Sequence, residues 1–435
     1  MSAAGQGDRS LGVVDAVAIG IGGMVGGGIF AVLGLSVELA RGAAPVAFVV
    51  AGAVALLTAR SYAQLSVAMP SRGGTSTYLN QVFGAGVLIG GVNVLLWLSY
   101  VVMLSLYASA FASYVVALLP GQPAASVEHL VLSGVIVLIA GFNVAGAAIV
   151  GRAERWIVAL KLLILAVFVA TGLAGVEAAR VAPSEWAGPL GVVGGAMVIF
   201  VAYEGFELIA NAAEDVRDPD RTLPRALYLS VGLVIVLYVA VALVTVGNLS
   251  LEQIQGSSDY ALAEAARPAL GSAGFVMIGV AAALSTTSAL NATMYGTARL
   301  SWSIARSGEL PEVLEKKVWN RPVEGLLITA GLTLVVANTF DVSRISVMGS
   351  AGFLIVFGMV NAAAARRADR TTPRVLAGIG AASCVAALAA LVVDSAGRDP
   401  WSLVVLAGLV LGSLIIEATY RRISGRRYAP GLGAP

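Results

Sequence analysis

The chain has little with which to do covalent or metal chemistry. A single cysteine, Cys384, excludes a disulfide framework, and with a single histidine, His129, it is too little for a His or Cys metal cluster. Charge is scarce too. Asp, Glu, Lys and Arg make up 12% of the 435 residues, against roughly 25% in an ordinary soluble domain. A formal net charge of +2 leaves no broad basic surface for nucleic acid. The rarest cation is lysine, with three copies (Lys161, Lys316, Lys317) beside 24 arginines. No nucleophile with a neighbouring base stands out, and no cofactor is called for, which disfavours a membrane enzyme.

What is abundant is apolar: hydrophobic residues are 58% of the chain. Nearly uncharged apolar stretches of about 18 residues or more recur along its whole length, each long enough to cross a bilayer core of about 30 Å as a helix. The expected fold is an all-α membrane protein of twelve transmembrane helices. They fall near 11–40, 44–69, 86–119, 130–150, 156–176, 189–211, 223–247, 274–303, 323–340, 345–365, 375–395 and 401–420. The polar start MSAAGQGDRS lacks a basic n-region, and the first apolar stretch is too long for a signal-peptide core, so it reads as a retained span.

The cations orient these spans. With the N-terminus inside, twenty Lys and Arg lie on the cytoplasmic side and five outside (Arg41, Arg180, Arg267, Arg344, Arg398), with Arg60 and Lys161 left within spans. Both termini are expected in the cytoplasm of a protein embedded in the cell membrane. The arginine-rich tail RRISGRRYAP reads as a stop-transfer anchor at the lipid surface.

Three local features break the apolar monotony. Residues 20–30 read GIGGMVGGGIF, with Gly20, Gly22, Gly23, Gly26, Gly27 and Gly28 clustered where glycine costs about 1 kcal/mol each in a helix. Such clustering predicts a helix broken at mid-membrane, with amides at Gly26–Gly28 suited to a carboxylate and carbonyls at Gly22–Met24 suited to a cation. The alternative is a glycine-rich packing face. In the sixth span, FVAYEGFELIANAAED places Glu204 and Glu207 around Gly205, a second expected break. Lys161 sits in the apolar run IVALKLLILAVFVATGLAG. Unlike arginine it can release its proton when buried. Snorkelling towards Arg152–Arg155 is the competing reading.

Two interrupted helices at matching places predict a 5+5 inverted repeat. Its organisation is a cytoplasmic tail (1–10), a first repeat of helices 1–5 (11–176), a second of helices 6–10 (189–365), two added helices (375–420) and a cytoplasmic tail (421–435). Each half has an odd number of spans, so the second is inverted relative to the first.

VGGGIF at Val25–Phe30, AYEGFE at Ala202–Glu207 and AAEDVRDPDRTLPRA at Ala212–Ala226 resemble the amino acid/polyamine/organocation transporters, which have the leucine-transporter-type fold. SALNATMYGTARLSWSIARSGELPE at Ser288–Glu312 extends the likeness. The pattern is most similar to proton-coupled, broad-specificity amino acid transporters carrying a lysine in the fifth helix. That resemblance implies a substrate carboxylate on the amides of Gly26, Gly27 and Gly28, and an α-amine on the carbonyls of Met24 and Tyr203. Phe200 reads either as a hydrophobic lid over the substrate or as a core phenylalanine. The resemblance also implies Lys161 against the Gly22 carbonyl and the Ser285 and Ser288 hydroxyls, in the place where sodium-coupled relatives hold their ion. No sodium requirement is then expected; the partners are an amino acid, protons and the bilayer. An exchanger without proton coupling and a non-transporting amino acid sensor are the alternatives.

Glu204 departs from the family pattern, in which this position is usually apolar. It reads as pairing a cationic substrate side chain, as protonated and silent, or as moving protons with Glu207 as a secondary acid. Trp97, Tyr100 and Tyr107 at helical spacing are path-lining candidates. Arg60 needs a partner, for which Glu214 or Asp215 are candidates, and Asp215, Arg221 and Arg225 are candidates for an inner gate.

Overall fold

The structure, a computed structural model, describes residues 11–71, 73–121, 123–145, 150–306 and 323–424. The expected tail 1–10, most of the tail 421–435, Arg72, Lys316, Lys317 and Arg321 lie outside the described residues, as does the end of the 288–312 signature.

Among the described residues the secondary structure is helical, with two isolated bridges as the extended pairings. Ten single helices are long and apolar enough to cross a bilayer, and the pair Val13–Met24 and Gly28–Ala40 forms an eleventh span bent by 49°. The expected ninth span is a 17-residue apolar helix, Val323–Thr339. Its described part begins where the described residues resume, at Val323. Among the described residues, eleven spans and this apolar helix occupy the twelve expected places.

Burial sorts the spans. The most apolar windows of the third span (Val87–Leu118) and the sixth (Pro189–Asn211) are each 83% buried, whereas those of the fourth (Ala125–Ala145), fifth (Trp156–Gly175), eleventh (Thr371–Arg398) and twelfth (Pro400–Ile423) are 22–28% buried. The first, third and sixth spans pack at the centre, and the sparsely buried ones present Leu138, Leu163, Val385 and Ile415 outward, as lipid contact requires. The eighth helix starts earlier than its apolar pattern suggested, at Arg267, and bends at Gly271, whose φ of 63° favours glycine. A short helix, Gly74–Phe83, follows the second span (Ala44–Ala68). Its polar sequence gave no span signal.

Both breaks are real, and they touch. The sixth span runs as α-helix from Pro189 to Val198, tightens to 3₁₀ over Ile199–Tyr203 and turns at Gly205, with φ of 111°. A Cβ on Gly205 would stand 2.6 Å from the Gly23 carbonyl carbon, and one on Gly23 would stand 2.8 Å from the Gly205 oxygen. The crossing therefore admits only glycine at both positions.

The two broken spans are also joined at their ends. Leu11, before the first span, pairs with Val216, after the sixth, through Leu11 N–H to the Asp215 carbonyl (3.1 Å) and Arg217 N–H to the Leu11 carbonyl (2.9 Å). At the other end Arg41 bridges to Trp186, and Ala187 N–H donates to the Ala40 carbonyl at 3.2 Å.

The glycine crossing generates a stability prediction. Gly205→Ala adds both a disfavoured backbone conformation and a backbone overlap, and is expected to cost more than about 2 kcal/mol. Gly232→Ala, in the helix Pro219–Asn248 with open space around it, is expected to be neutral or stabilising by up to about 1 kcal/mol. Thermal unfolding of the two variants in detergent tests this. Equal melting temperatures would contradict the crossing.

Candidate functional site

The break in the first span supplies the polar backbone. Helix ends leave their last carbonyls and first amides without partners inside the helix, and here both sets face each other across Val25–Gly27. Gly28 opens the second half-helix, so Gly26, Gly27 and Gly28 carry amides at its positive end. The glycines also pack. Gly26 lies against Ala289, Gly27 against the Tyr107 ring and Gly28 against the Ala202 backbone, so the cluster serves close approach as well as the break.

Lys161 reaches the carbonyl side of this break. Its neighbours Leu160 and Leu163 are 45% and 61% exposed on the outer face, whereas Lys161 itself is 2% exposed. Its ammonium donates to the Gly22 carbonyl at 3.1 Å. The side chain points into the protein, which sets snorkelling aside. An ammonium taken out of water needs such oxygen ligands, since burial of an uncompensated charge is costly.

The Ser285 hydroxyl donates to the Val25 carbonyl at 2.7 Å and to the Gly26 carbonyl. It thereby holds the unwound backbone to the eighth helix. Ser288, one turn along, is buried at 7% exposure.

The Met24 carbonyl, expected to receive a substrate amine, already accepts the Tyr238 hydroxyl at 2.6 Å, and the same hydroxyl reaches the Ala202 carbonyl at 3.2 Å. Tyr238 thus links the two breaks. Sequence reading missed it because a tyrosine inside an apolar span looks like packing. A carbonyl oxygen has a second lone pair, so Met24 can still accept a further donor. Tyr203 sends its hydroxyl to the Phe48 carbonyl of the second span at 2.8 Å. Phe200 packs edge-on against Phe357, at 6.0 Å between centroids, within a buried aromatic group that includes Phe206 and Phe353.

The two acids of the sixth span are buried, Glu204 at 2% and Glu207 at 1% exposure. Glu207 accepts the Tyr100 hydroxyl at 2.8 Å and the Gly205 amide at 2.9 Å, and Glu204 accepts the Tyr107 hydroxyl at 3.4 Å. Tyr100 and Tyr107 therefore belong to the centre. Trp97 does not: its indole N–H donates to Thr329 at 3.2 Å, in a separate apolar cluster with Val94, Val101, Ile304 and Ala305. Arg60 reaches the Pro373 carbonyl at 3.5 Å. Of the inner-gate candidates, Arg221 lies 4.0 Å from Asp218, both exposed, and the Asp215 carbonyl takes part in the Leu11 bridge.

Comparison with known proteins agrees with this architecture. A family model described as amino acid permease matches residues 11–415. An uncharacterised protein of Methanocaldococcus jannaschii is 35% identical over 80% of this chain and 81% of its own length. The inner membrane transport protein YbaT of Escherichia coli is 30% identical over 96% of this chain and 97% of its own. The methylthioribose transporter of Bacillus subtilis is 28% identical over 82% and 80%. Long apolar helices, two breaks crossing at mid-span and a family match over nearly the whole length lead to one conclusion: the chain belongs to the amino acid permease family of multi-pass membrane transporters.

Proposed function

We propose that this transporter imports amino acids across the cell membrane by proton symport, with Lys161 as the coupling site. One observation carries the reading: a lysine ammonium, 2% exposed within a span, donates to the Gly22 carbonyl at the end of the first half-helix. The family name supports the substrate class. In this reading the substrate carboxylate lies on the amides of Gly26, Gly27 and Gly28, and its amine on the carbonyls of Met24 and Tyr203, beneath Phe200.

Coupling follows from the chemistry of the ammonium. Protonated, Lys161 supplies a positive charge and three donors to carbonyl ends that the helix leaves unsatisfied. When the N–H bond breaks and the proton passes to cytoplasmic water, the neutral amine loses its charge and its hold on Gly22 weakens. The first half-helix is then freer to move, as it would be on losing a bound cation. An ammonium in this place makes sodium unnecessary. The paired breaks support the inverted-repeat organisation of 11–176 and 189–365, and the bias of twenty cations against five supports cytoplasmic termini.

In proteoliposomes of the purified protein, an imposed inward proton gradient is expected to drive uptake into substrate-free vesicles. Lys161→Ala is expected to lower that gradient-driven component roughly 5- to 150-fold, the range of typical coupling energies, while the protein still elutes as a folded species. Uptake that needs internal substrate would instead identify an exchanger, and binding without flux a sensor. For orientation, cysteines introduced at Ser184 and Ser424 in a Cys384→Ser background are expected to react with an impermeant maleimide from outside and only after permeabilisation, respectively. The reverse pattern would invert the topology.

A further inference from the structure

The acid pair of the sixth span is not used by the coupling scheme above. Glu204 and Glu207 flank Gly205, and both are nearly inaccessible. Two carboxylates this close in sequence and both out of water are costly when both are ionised, so the pair favours holding one proton.

Among the described residues, the arginine ion pairs are made with other carboxylates. The second span and the following short helix bring Tyr62 and Tyr78, the third span Tyr100 and Tyr107, and the seventh span Tyr238. The tenth span (Val342–Arg367) adds Phe353 and Phe357 to the same centre, its Arg366 and Arg367 lying in its last turn. The charged groups of the first span, Asp15 and Glu38, lie towards its two ends. The Lys161 ammonium donates to the Gly22 carbonyl.

The distribution of donors says which acid holds the proton. Glu207 accepts from Tyr100 at 2.8 Å and from the Gly205 amide at 2.9 Å, so its two oxygens act as acceptors. Glu204 has one long contact, 3.4 Å from Tyr107. It is the acid with an oxygen to spare for a proton. We propose that Glu204 and Glu207 form a second proton-binding site, separate from Lys161, in which Glu204 carries the proton and donates it to Glu207 while the two breaks are packed together.

The site is built into the crossing. Gly205, which lies between the acids, rests on Gly23, and its amide holds Glu207. If the Glu204 O–H bond breaks and the proton goes to water on whichever side the breaks admit it, the electron pair stays on Glu204. Two adjacent anions then face the Tyr100 and Tyr107 hydroxyls and the Gly205 amide. Their repulsion acts directly on the Gly23–Gly205 contact and favours separating the breaks; return of the proton restores the packed arrangement.

Infrared spectroscopy of the purified, membrane-reconstituted protein reads this proton without requiring transport, so its outcome is independent of the Lys161 reading. Wild type at neutral pH is expected to show a protonated-carboxyl C=O band that vanishes in Glu204→Gln and shifts in frequency in Tyr107→Phe, a variant that keeps both acids. The band is expected to fade as pH is raised symmetrically, and counterflow rates measured over the same range to change with it in wild type but not in Glu204→Gln. A wild-type spectrum in which Glu204→Gln removes no protonated-carboxyl band, or a Glu204→Gln counterflow profile that superposes on wild type, would overturn the proposal.

Discussion

The contact on which the centre of this molecule depends is backbone against backbone, at Gly23 and Gly205. Neither residue tolerates a Cβ there, and the closeness that results is what brings the free carbonyls of one broken helix beside the turn of another. Non-helical backbone at membrane depth is tolerated only where protein or polar groups satisfy it. The chain meets that demand from four directions: Lys161 on Gly22, Tyr238 on Met24 and Ala202, Ser285 on Val25 and Gly26, and Ser350 on the amide of Val201. Each of these side chains comes from a different span. The breaks are thus also the point at which distant parts of the sequence are tied together.

These ties use hydroxyls and one ammonium where a soluble protein would use ion pairs. Several of the ion pairs seen lie near helix ends, such as Arg344 with Asp399 and Arg398 with Asp394. Hydrogen-bonded to Arg344 and Ser402, the Asp399 carboxyl is held below its usual range. In the interior the donors are neutral hydroxyls of Tyr, Ser and Thr, whose burial is far less costly than that of charge. Neutral donors can be exchanged without leaving a stranded ion, which suits a region that has to rearrange.

Much of this was readable from residue types alone, because the bilayer restricts what each can do. Apolar length located the spans to within a few residues, and the choice of lysine in a chain that prefers arginine singled out Lys161. The glycine cluster posed a choice between break and packing face. The structure shows one set of residues doing both, since a break in a crowded centre needs room as well as freedom. Other features were hidden for definite reasons. Tyr238 acts on Met24 across 214 positions, and no local pattern distinguishes its hydroxyl from that of a packing tyrosine. Trp97 shares helical spacing with Tyr100 and Tyr107, yet its indole faces Thr329, because spacing on one helix does not tell which neighbour each face meets.

The bridges at Leu11–Val216 and Arg41–Trp186 have a mechanical meaning. They fasten the first and sixth spans to each other at both ends, while the glycines fasten them at the middle. A pair of rods pinned at three points resists shearing, so a displacement of one hauls the other along. Unzipping either terminal pin forfeits about 0.5–1.5 kcal/mol for each backbone hydrogen bond lost, a cost small enough for thermal motion and large enough to make the joined arrangement the resting one. Separating the two spans at either end therefore requires breaking a two-bond clasp rather than melting a helix.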